Sequence, residues 1–381
     1  MRVLHFYKTF IPDTMGGVEQ VINQIAISAN NLGVQTDVLS LTPERVVRHI
    51  EMNGYTAHRA KLDFKIASTG FSASVFLRFA QLAKHADVIH YHFPWPFMDI
   101  VHFATRINKP TVVTYHSDII KQKHLLKLYR PLRNKFLANV DKIVATSPNY
   151  LDSSSVLAKF SGKVSVIPIG LDKTTYPSTT SERLNYWQGK IGQKFFLFVG
   201  VLRYYKGLHI LLEAAHGTNY PIVIVGAGPI EAELKAKASM LGLHNIHFLG
   251  QLPDVDKVAL LTLCYGVLFP SHLRSEAFGI SLLEGAMYGK PMISSEIGTG
   301  TSYINIANET GIVVPPSDPA SLRQAMQYLW EHPEQAIQMG LRAEERYWKY
   351  FTAEQMGVSY VNLYSDLINS YKNCNKKLKV L

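Results

Sequence analysis

KFFLFVGVLRYYKGLHILLEAA (194–215) is the stretch on which the fold turns. An apolar run ends on Gly200, a short loop carries Arg203 and Lys206, and a run with apolar residues at helical spacing follows Gly207. This is strand, loop and helix, and it restarts a pattern already set out from the first residues. RVLHFY (2–7) leads through IPDTMGGVE into VEQVINQIAISANNLG, where Val18, Val21, Ile22, Ile25 and Ala29 fall at helical spacing before Gly33 closes the run. TDVLSL (36–41), ADVIHYH (86–92), TVVTYH (111–116), KIVATS (142–147) and VSVIPIG (164–170) read as further buried strands. After the quoted stretch come PIVIVGAG (221–228), IHFLG (246–250), YGVLFPS (265–271) and PMISS (291–295). Strands alternating with helices predict parallel sheets built from βαβ units. Two such series, separated by the polar, turn-rich TTYPSTTSERLNYWQGK (174–190), predict two α/β domains over residues 1–175 and 176–353. The final helical run, AEQMGVSYVNLYSDLINSYKN (353–373), is expected to form a helix over 354–381 that completes the first domain.

Composition agrees with a two-domain globular chain. At 381 residues the chain exceeds one typical core, and 47% hydrophobic against 18% charged residues is not the balance of a disordered protein. Cys264 and Cys374 differ in context and suggest reduced thiols, which fits a cytosolic protein. No run approaches the ~18–20 apolar residues of a membrane span, and the N-terminus reads as a strand, so a soluble or peripheral protein is expected.

The formal charge of +10 is uneven: residues 1–180 hold 21 Lys and Arg against 12 Asp and Glu, whereas residues 181–381 hold 18 against 17. Within the basic half, KQKHLLKLYRPLRNKFLANVDK (121–142) has no acid before Asp141. It interleaves Lys121, Lys123, Lys127, Arg130, Arg133 and Lys135 with leucines and aromatics, a pattern for a basic amphipathic helix kinked near Pro131. Such a helix either lies on an anionic lipid surface or packs on its own domain with its lysines solvated.

Ligands of open parallel sheets bind outside the carboxyl ends of the strands, so loops 8–19, 92–99, 116–120, 200–207, 226–229 and 271–281 are where chemistry is expected. In the last of these, SEAFGISLLEGAMYGKP (275–291) starts a helix near Phe278–Gly279 and stops it at Gly289. A helix N-terminus offers free N–H groups and a partial positive charge, and Gly279 admits close approach, so this is a phosphate site. Glu276 and Glu284 flank it on the order of 10 Å apart, a spacing suited to a ligand with hydroxyls on both sides of its phosphates. A nucleotide diphosphate sugar has that layout.

With these residues the chain resembles the family-4 retaining glycosyltransferases, whose GT-B fold is two facing Rossmann-like domains with a cleft between them. The resemblance implies that Glu276 contacts hydroxyls of the donor sugar, that Glu284 binds the nucleotide ribose, and that backbone amides around Phe278, Gly279, Ile280 and Ser281 hold the diphosphate. GVLRYYKG (200–207) is similar to the family's Gly-Arg-Leu…Lys-Gly loop, with Lys206 in the expected place; Val201 stands where the family has arginine, and Arg203 follows two residues later. Lys206 and Arg203 would neutralise the leaving diphosphate. TMGGVEQ (14–20) matches the family's glycine-rich loop over the donor at Gly16 and Gly17, and TYHSD (114–118) places His116 where the family carries a histidine close to the donor sugar. IPIGLD (167–172) resembles the family's inter-domain link, with Ile169 where Asn is common, and GAGP (226–229) fits its strand–turn glycines.

The implied reaction is metal-independent transfer with retention, assisted by an acceptor hydroxyl on the same face of the sugar and without a protein nucleophile. Asp254 and Asp256 form an Asp-x-Asp, but before KVALLTLC the pair reads as a helix N-cap and first-turn acid. Bacterial mannosyltransferases of O-antigen and exopolysaccharide assembly are the nearest resemblance, which implies GDP-mannose as donor and a polyprenyl diphosphate-linked sugar as acceptor. A basic acceptor domain would then sit peripherally at the inner face of the cytoplasmic membrane. UDP-sugar-dependent transfer of glucose, galactose or N-acetylglucosamine is the alternative within the family, and a nucleotide-sugar epimerase or hydrolase the alternative of similar fold. Nucleic-acid binding would explain the charge, but no nucleic-acid motif accompanies it.

Overall fold

The computed structural model describes residues 1–44, 49–66, 69–119 and 123–378, with the backbone alone for 123, 124 and 374–378. Lys121, the side chains of Lys123 and Cys374, and the tail beyond Leu378 therefore lie outside the described residues. The chain divides into two compact units: Met1–Gly170 with Ala353–Leu381, and Leu171–Thr352. The division falls at Gly170–Leu171, ahead of the expected 175–176. The segment after Leu171 joins the second unit because Leu171 N–H donates to Phe351 O at 2.9 Å and Tyr347 OH to Leu171 O at 2.9 Å.

The first unit is built on an eight-stranded sheet. In spatial order its strands are Val164–Val166, Lys142–Ala145, Thr111–Tyr115, Val88–Phe93, Arg2–Phe6, Gln35–Thr42, Thr56–Lys61 and His49–Glu51. All neighbours are parallel except the last pair. The strands Arg2–Phe6, Gln35–Thr42 and Val88–Phe93 are almost wholly buried, as apolar runs covered on both faces must be. Thr56–Lys61 escapes the sequence reading because TAHRAK is polar. Its Arg59 is nevertheless buried, ion-paired to Asp13 and donating to Thr42 Oγ1 at 2.8 Å. The C-terminal helix Ala353–Leu378 closes this unit: Gly357 packs so tightly on Ser28 of the helix Gly17–Asn31 that a Cβ there would meet Ser28 at 2.7 Å.

The second unit has a six-stranded, all-parallel sheet in the order Ile246–Gly250, Ile222–Val225, Phe196–Val199, Gly266–Phe269, Met292–Ser295, Gly311–Val314. Only Gly311–Val314, four residues long, is absent from the sequence reading. One core cluster joins Phe196, Phe198, Leu211 and Ile224 with Leu322, Met326 and Leu329 of the helix Pro319–Glu331.

Residues 123–139 form the expected basic helix, with Pro131 inside it. Its first half leaves two leucines outside: Leu125 is 52% and Leu128 81% exposed, beside exposed Lys127 and Arg130, whereas Leu126 and Tyr129 are half-buried. No helix among the described residues is long and apolar enough to cross a membrane.

Candidate functional site

In the second unit the strand order reverses between Phe196–Val199 and Gly266–Phe269, the switch point at which open sheets hold ligands. The loops after these two strands, Gly200–Lys206 and Pro270–Gly279, meet there. Gly207 lets them meet: its φ is 70°, and a Cβ would lie 1.9 Å from Pro270 O. His272 N–H then donates to Tyr205 O at 3.0 Å, and the His272 ring bonds Tyr204 O at 3.1 Å. Burial lowers the His272 pKa against that ring bond, which favours a neutral imidazole.

The product of this packing is an ion pair. Lys206 Nζ binds Glu276 Oε2, with both side chains almost wholly shielded, and Ser271 OH reaches the same oxygen at 3.3 Å. Lys206 Nζ also lies 4.9 Å from the Phe269 ring centre. Glu276 Oε1 takes no hydrogen bond among the described residues. An ammonium has three donors, so Lys206 can hold Glu276 and still address an anion.

Three residues on, Gly279 at φ 103° caps the helix Ile280–Met287. The first N–H groups of that helix, from Ile280 and Ser281 onward, have no intrahelical acceptor and carry the positive end of its dipole. Phe278 is buried just before the cap, where Gly300 N–H donates to Ala277 O at 2.8 Å. Glu284, inside the helix, is buried with Oε1 fixed by Lys257 Nζ at 3.0 Å and Tyr176 OH at 2.9 Å. Burial opposes the charge on Lys257, but Glu284 and Asp254 outweigh it and raise the Lys257 pKa. Glu284 Oε2 has no partner among the described residues. Each glutamate thus has one anchored oxygen and one uncommitted acceptor, and a helix N-terminus lies between them.

The remaining predicted residues of this unit fall differently. Arg203 is exposed and starts the short turn Tyr204–Lys206, its carbonyl accepting from Lys206 N–H at 3.0 Å, while its side chain makes no hydrogen bond among the described residues; Val201 is exposed too. Asp254 and Asp256 both lie in the first turn of Asp254–Leu263, as expected of a first-turn acid, but neither is the N-cap, which is Pro253. The two acids also diverge, Asp254 pairing with Lys257 at 3.1 Å and Asp256 accepting from Trp187 Nε1 at 2.8 Å and Arg183 at 3.0 Å. The structural reason is that Asp256 turns inward to satisfy a buried indole, so the pair presents no joint cation site.

In the first unit Gly16 is the N-cap of Gly17–Asn31, and a Cβ on it would meet Glu19 Oε2 at 2.7 Å. Glu19 is buried and accepts from Thr9 and Thr14, each at 2.8 Å, so it fastens the glycine loop rather than opening it. His116 is the end of a buried series that the sequence reading missed. His92 Nδ1 lies 2.9 Å from His116 Nε2, and His5 Nδ1 lies 2.9 Å from His92 Nε2. His90 stacks on His92 with ring centres 4.4 Å apart and bonds Tyr364 OH and Thr114 Oγ1, each at 2.7 Å. Burial lowers all four histidine pKa values, those of His5 and His116 to about 3. His5, His90 and His92 offer ligand atoms within 4.8 Å of one another, yet five of their six ring nitrogens already have partners, the hallmark of a hydrogen-bonded network. The signal was present in the alternation of IHYHF, which sets His90 and His92 on one face of a strand.

Comparison with known proteins places the chain in a family. The profile described as Glycosyltransferase Family 4 matches residues 15–175, and that described as Glycosyl transferases group 1 matches residues 186–346. The chain is 64% identical over 353 residues to the D-rhamnosyltransferase WbpZ of Pseudomonas aeruginosa, covering 93% of each. It is 50% identical over 370 residues to the O-antigen chain mannosyltransferase C of Escherichia coli, covering 97% of this chain and 100% of that one. Among solved structures, sucrose-phosphate synthase from Thermosynechococcus elongatus superposes with a TM-score of 0.80 at 20% identity, covering 97% of this chain and 99% of that one. Anabaena HepE in complex with UDP does so at 0.74 and 18% identity, over 96% and 100%. The chain belongs to the family-4 glycosyltransferases, whose GT-B fold is assembled from two Rossmann-like units such as these.

Proposed function

We propose that the chain is an anomer-retaining transferase that moves a manno-configured sugar from its GDP-linked form onto a polyprenyl diphosphate-linked sugar, in building an O-antigen or related surface polysaccharide. The observation that carries this reading is the Lys206–Glu276 pair at the switch point, with its free carboxylate oxygen beside a helix N-terminus. Lys206 and the amides of Ile280 and Ser281 would take the diphosphate, Glu276 Oε1 a hydroxyl of the sugar, and Glu284 Oε2 the ribose. Arg203 is free to reach the diphosphate. Positive charge from these groups serves the role a metal would otherwise play. In the transfer the bond from C1 to the phosphate oxygen breaks, the acceptor oxygen bonds to C1 on the same face, and the acceptor's proton passes to the departing phosphate. His116 would touch the sugar, and Gly16 and Gly17 would admit the diphosphate.

D-Rhamnose is D-mannose without its C6 hydroxyl. The 64% identity to a D-rhamnosyltransferase makes GDP-D-rhamnose the first donor to try; the 50% identity to a mannosyltransferase supports GDP-mannose as the second reading. The exposed Leu125, Leu128, Lys127 and Arg130 support seating at the inner face of the cytoplasmic membrane. The test is mass spectrometry of polyprenyl diphosphate-linked N-acetylglucosamine incubated with the protein, EDTA and, separately, the two GDP-sugars and three UDP-sugars. Transfer from a GDP-sugar alone, lost in Glu276→Ala and giving the donor's own anomer by NMR, is the expected result. Transfer from a UDP-sugar, an inverted product or a need for metal would each refute the corresponding part.

A further inference from the structure

We propose that His5 and His92 are positioning residues that hold His116 as the Nδ1–H tautomer, so that His116 donates a hydrogen bond to the bound sugar rather than accepting one. This rests on the reading that His116 faces the donor sugar. His5, His92 and His116 are joined end to end, Nδ1 to Nε2, by two contacts of 2.9 Å. The rings are buried and hold no charge at neutral pH, so each has one N–H and one lone pair. Because His92 sits in both contacts, its single N–H can serve only one of them, and the two bonds must run in the same direction.

The far end decides which direction. His5 Nε2 is fully buried and has no partner. If the bonds ran inward, from His116 to His5, that nitrogen would be a buried N–H with no acceptor, the rarer and costlier defect. If they run outward, it is only a bare lone pair. The outward direction gives His5 Nδ1–H to His92 Nε2, His92 Nδ1–H to His116 Nε2, and leaves His116 Nδ1–H at the open end. No described residue bonds His116 Nδ1. His90 cannot interrupt the series, since Tyr364 and Thr114 occupy both of its nitrogens at 2.7 Å and Thr114 is itself held by Tyr360 OH at 2.9 Å. The C-terminal helix thus clamps the one imidazole that could compete.

Long-range proton–nitrogen correlation on protein carrying ring-labelled histidine reads the tautomer directly, with the His116 signal identified by its loss in His116→Gln. The expected spectrum shows His116 protonated at Nδ1 and bare at Nε2. In His92→Leu the one-sided tautomer is lost, and the donor KM rises ~10-fold while kcat changes less than ~3-fold, the effect of one neutral hydrogen bond made to bound substrate. His116 protonated at Nε2 in the unsubstituted protein overturns the proposal, and that measurement decides even if His92→Leu does not fold. A folded His92→Leu with the same tautomer or an unmoved KM overturns it as well. Because the spectrum is taken without substrate, an Nδ1–H signal in a protein that transfers no sugar would uphold the series and count against the transferase reading alone.

Discussion

At the scale of single residues, the site depends on charges that are held before any ligand arrives. Lys206 and Glu276 are shielded from water and compensate each other, so removing one leaves the other unpaired. Lys206→Met should therefore cost about 3 kcal/mol of unfolding free energy by denaturant titration, and the double variant Lys206→Met/Glu276→Leu should recover most of that loss. A double variant no more stable than the single would remove the ion pair from the account. Both residues were legible in the sequence, because Lys206 stands beside Gly207 and Glu276 three residues before Gly279, each in a loop that follows an apolar strand. The partners of Glu284 were not: Lys257 and Tyr176 reach it from 27 and 108 residues away, and nothing local marks them. Asp256 is the first-turn acid the sequence suggests, but its bond to Trp187 was hidden for the same reason, since that partner lies 69 residues earlier.

At the scale of elements, glycines and histidines do work that composition cannot announce. Gly207→Ala combines a left-handed φ of 70° with a collision on Pro270 O, whereas Gly217→Ala, at φ 77° with nothing within 4 Å, has the strain without the collision. The first should lose ~3 kcal/mol or more and weaken donor binding; the second should lose ~1 kcal/mol and leave binding alone. Equal losses would show that the loop contact is not tight. The histidine series makes a prediction in pH. In the native state His5 and His116 protonate only near pH 3, whereas in the unfolded chain they do so near 6.5. Between those values the unfolded state binds more protons, so stability is full above about pH 6.5 and is lost as pH falls toward 3. For these two groups the slope is about 3 kcal/mol per pH unit near pH 5. A melting temperature unchanged between pH 7 and 5 would contradict the burial of these rings. The strands that carry them were plain from their apolar runs. What the runs hide is that His5, His90, His92 and Thr114 meet across three of them, which requires the register His5 to His90 and His92 to Thr114.

At the scale of the whole molecule, charge is concentrated where the acceptor would be held. Residues 1–180 carry 21 cations against 12 anions, and the helix Lys123–Asn139 sets exposed Leu125 and Leu128 among exposed Lys127 and Arg130. Sedimentation with phosphatidylglycerol vesicles should fall ~10-fold or more in Lys127→Glu/Arg130→Glu, as a surface attraction of about 1 kcal/mol per cation implies. Undiminished sedimentation would remove this helix from membrane binding. The two-unit plan was readable because the strand–helix series visibly restarts near residue 194. The exposure of the two leucines was not, since an amphipathic pattern is the same whether its apolar face meets protein or lipid.

The central claim is that Lys206 binds the diphosphate while Glu276 serves the sugar, and calorimetric titration of GDP into three proteins separates these roles. Lys206→Met should bind GDP ~100-fold more weakly than the unsubstituted chain, as expected for a charge-assisted contact with phosphate. Glu276→Gln should bind it undiminished and yet transfer no sugar. Unchanged GDP affinity in folded Lys206→Met, or full transfer by Glu276→Gln, would contradict the account.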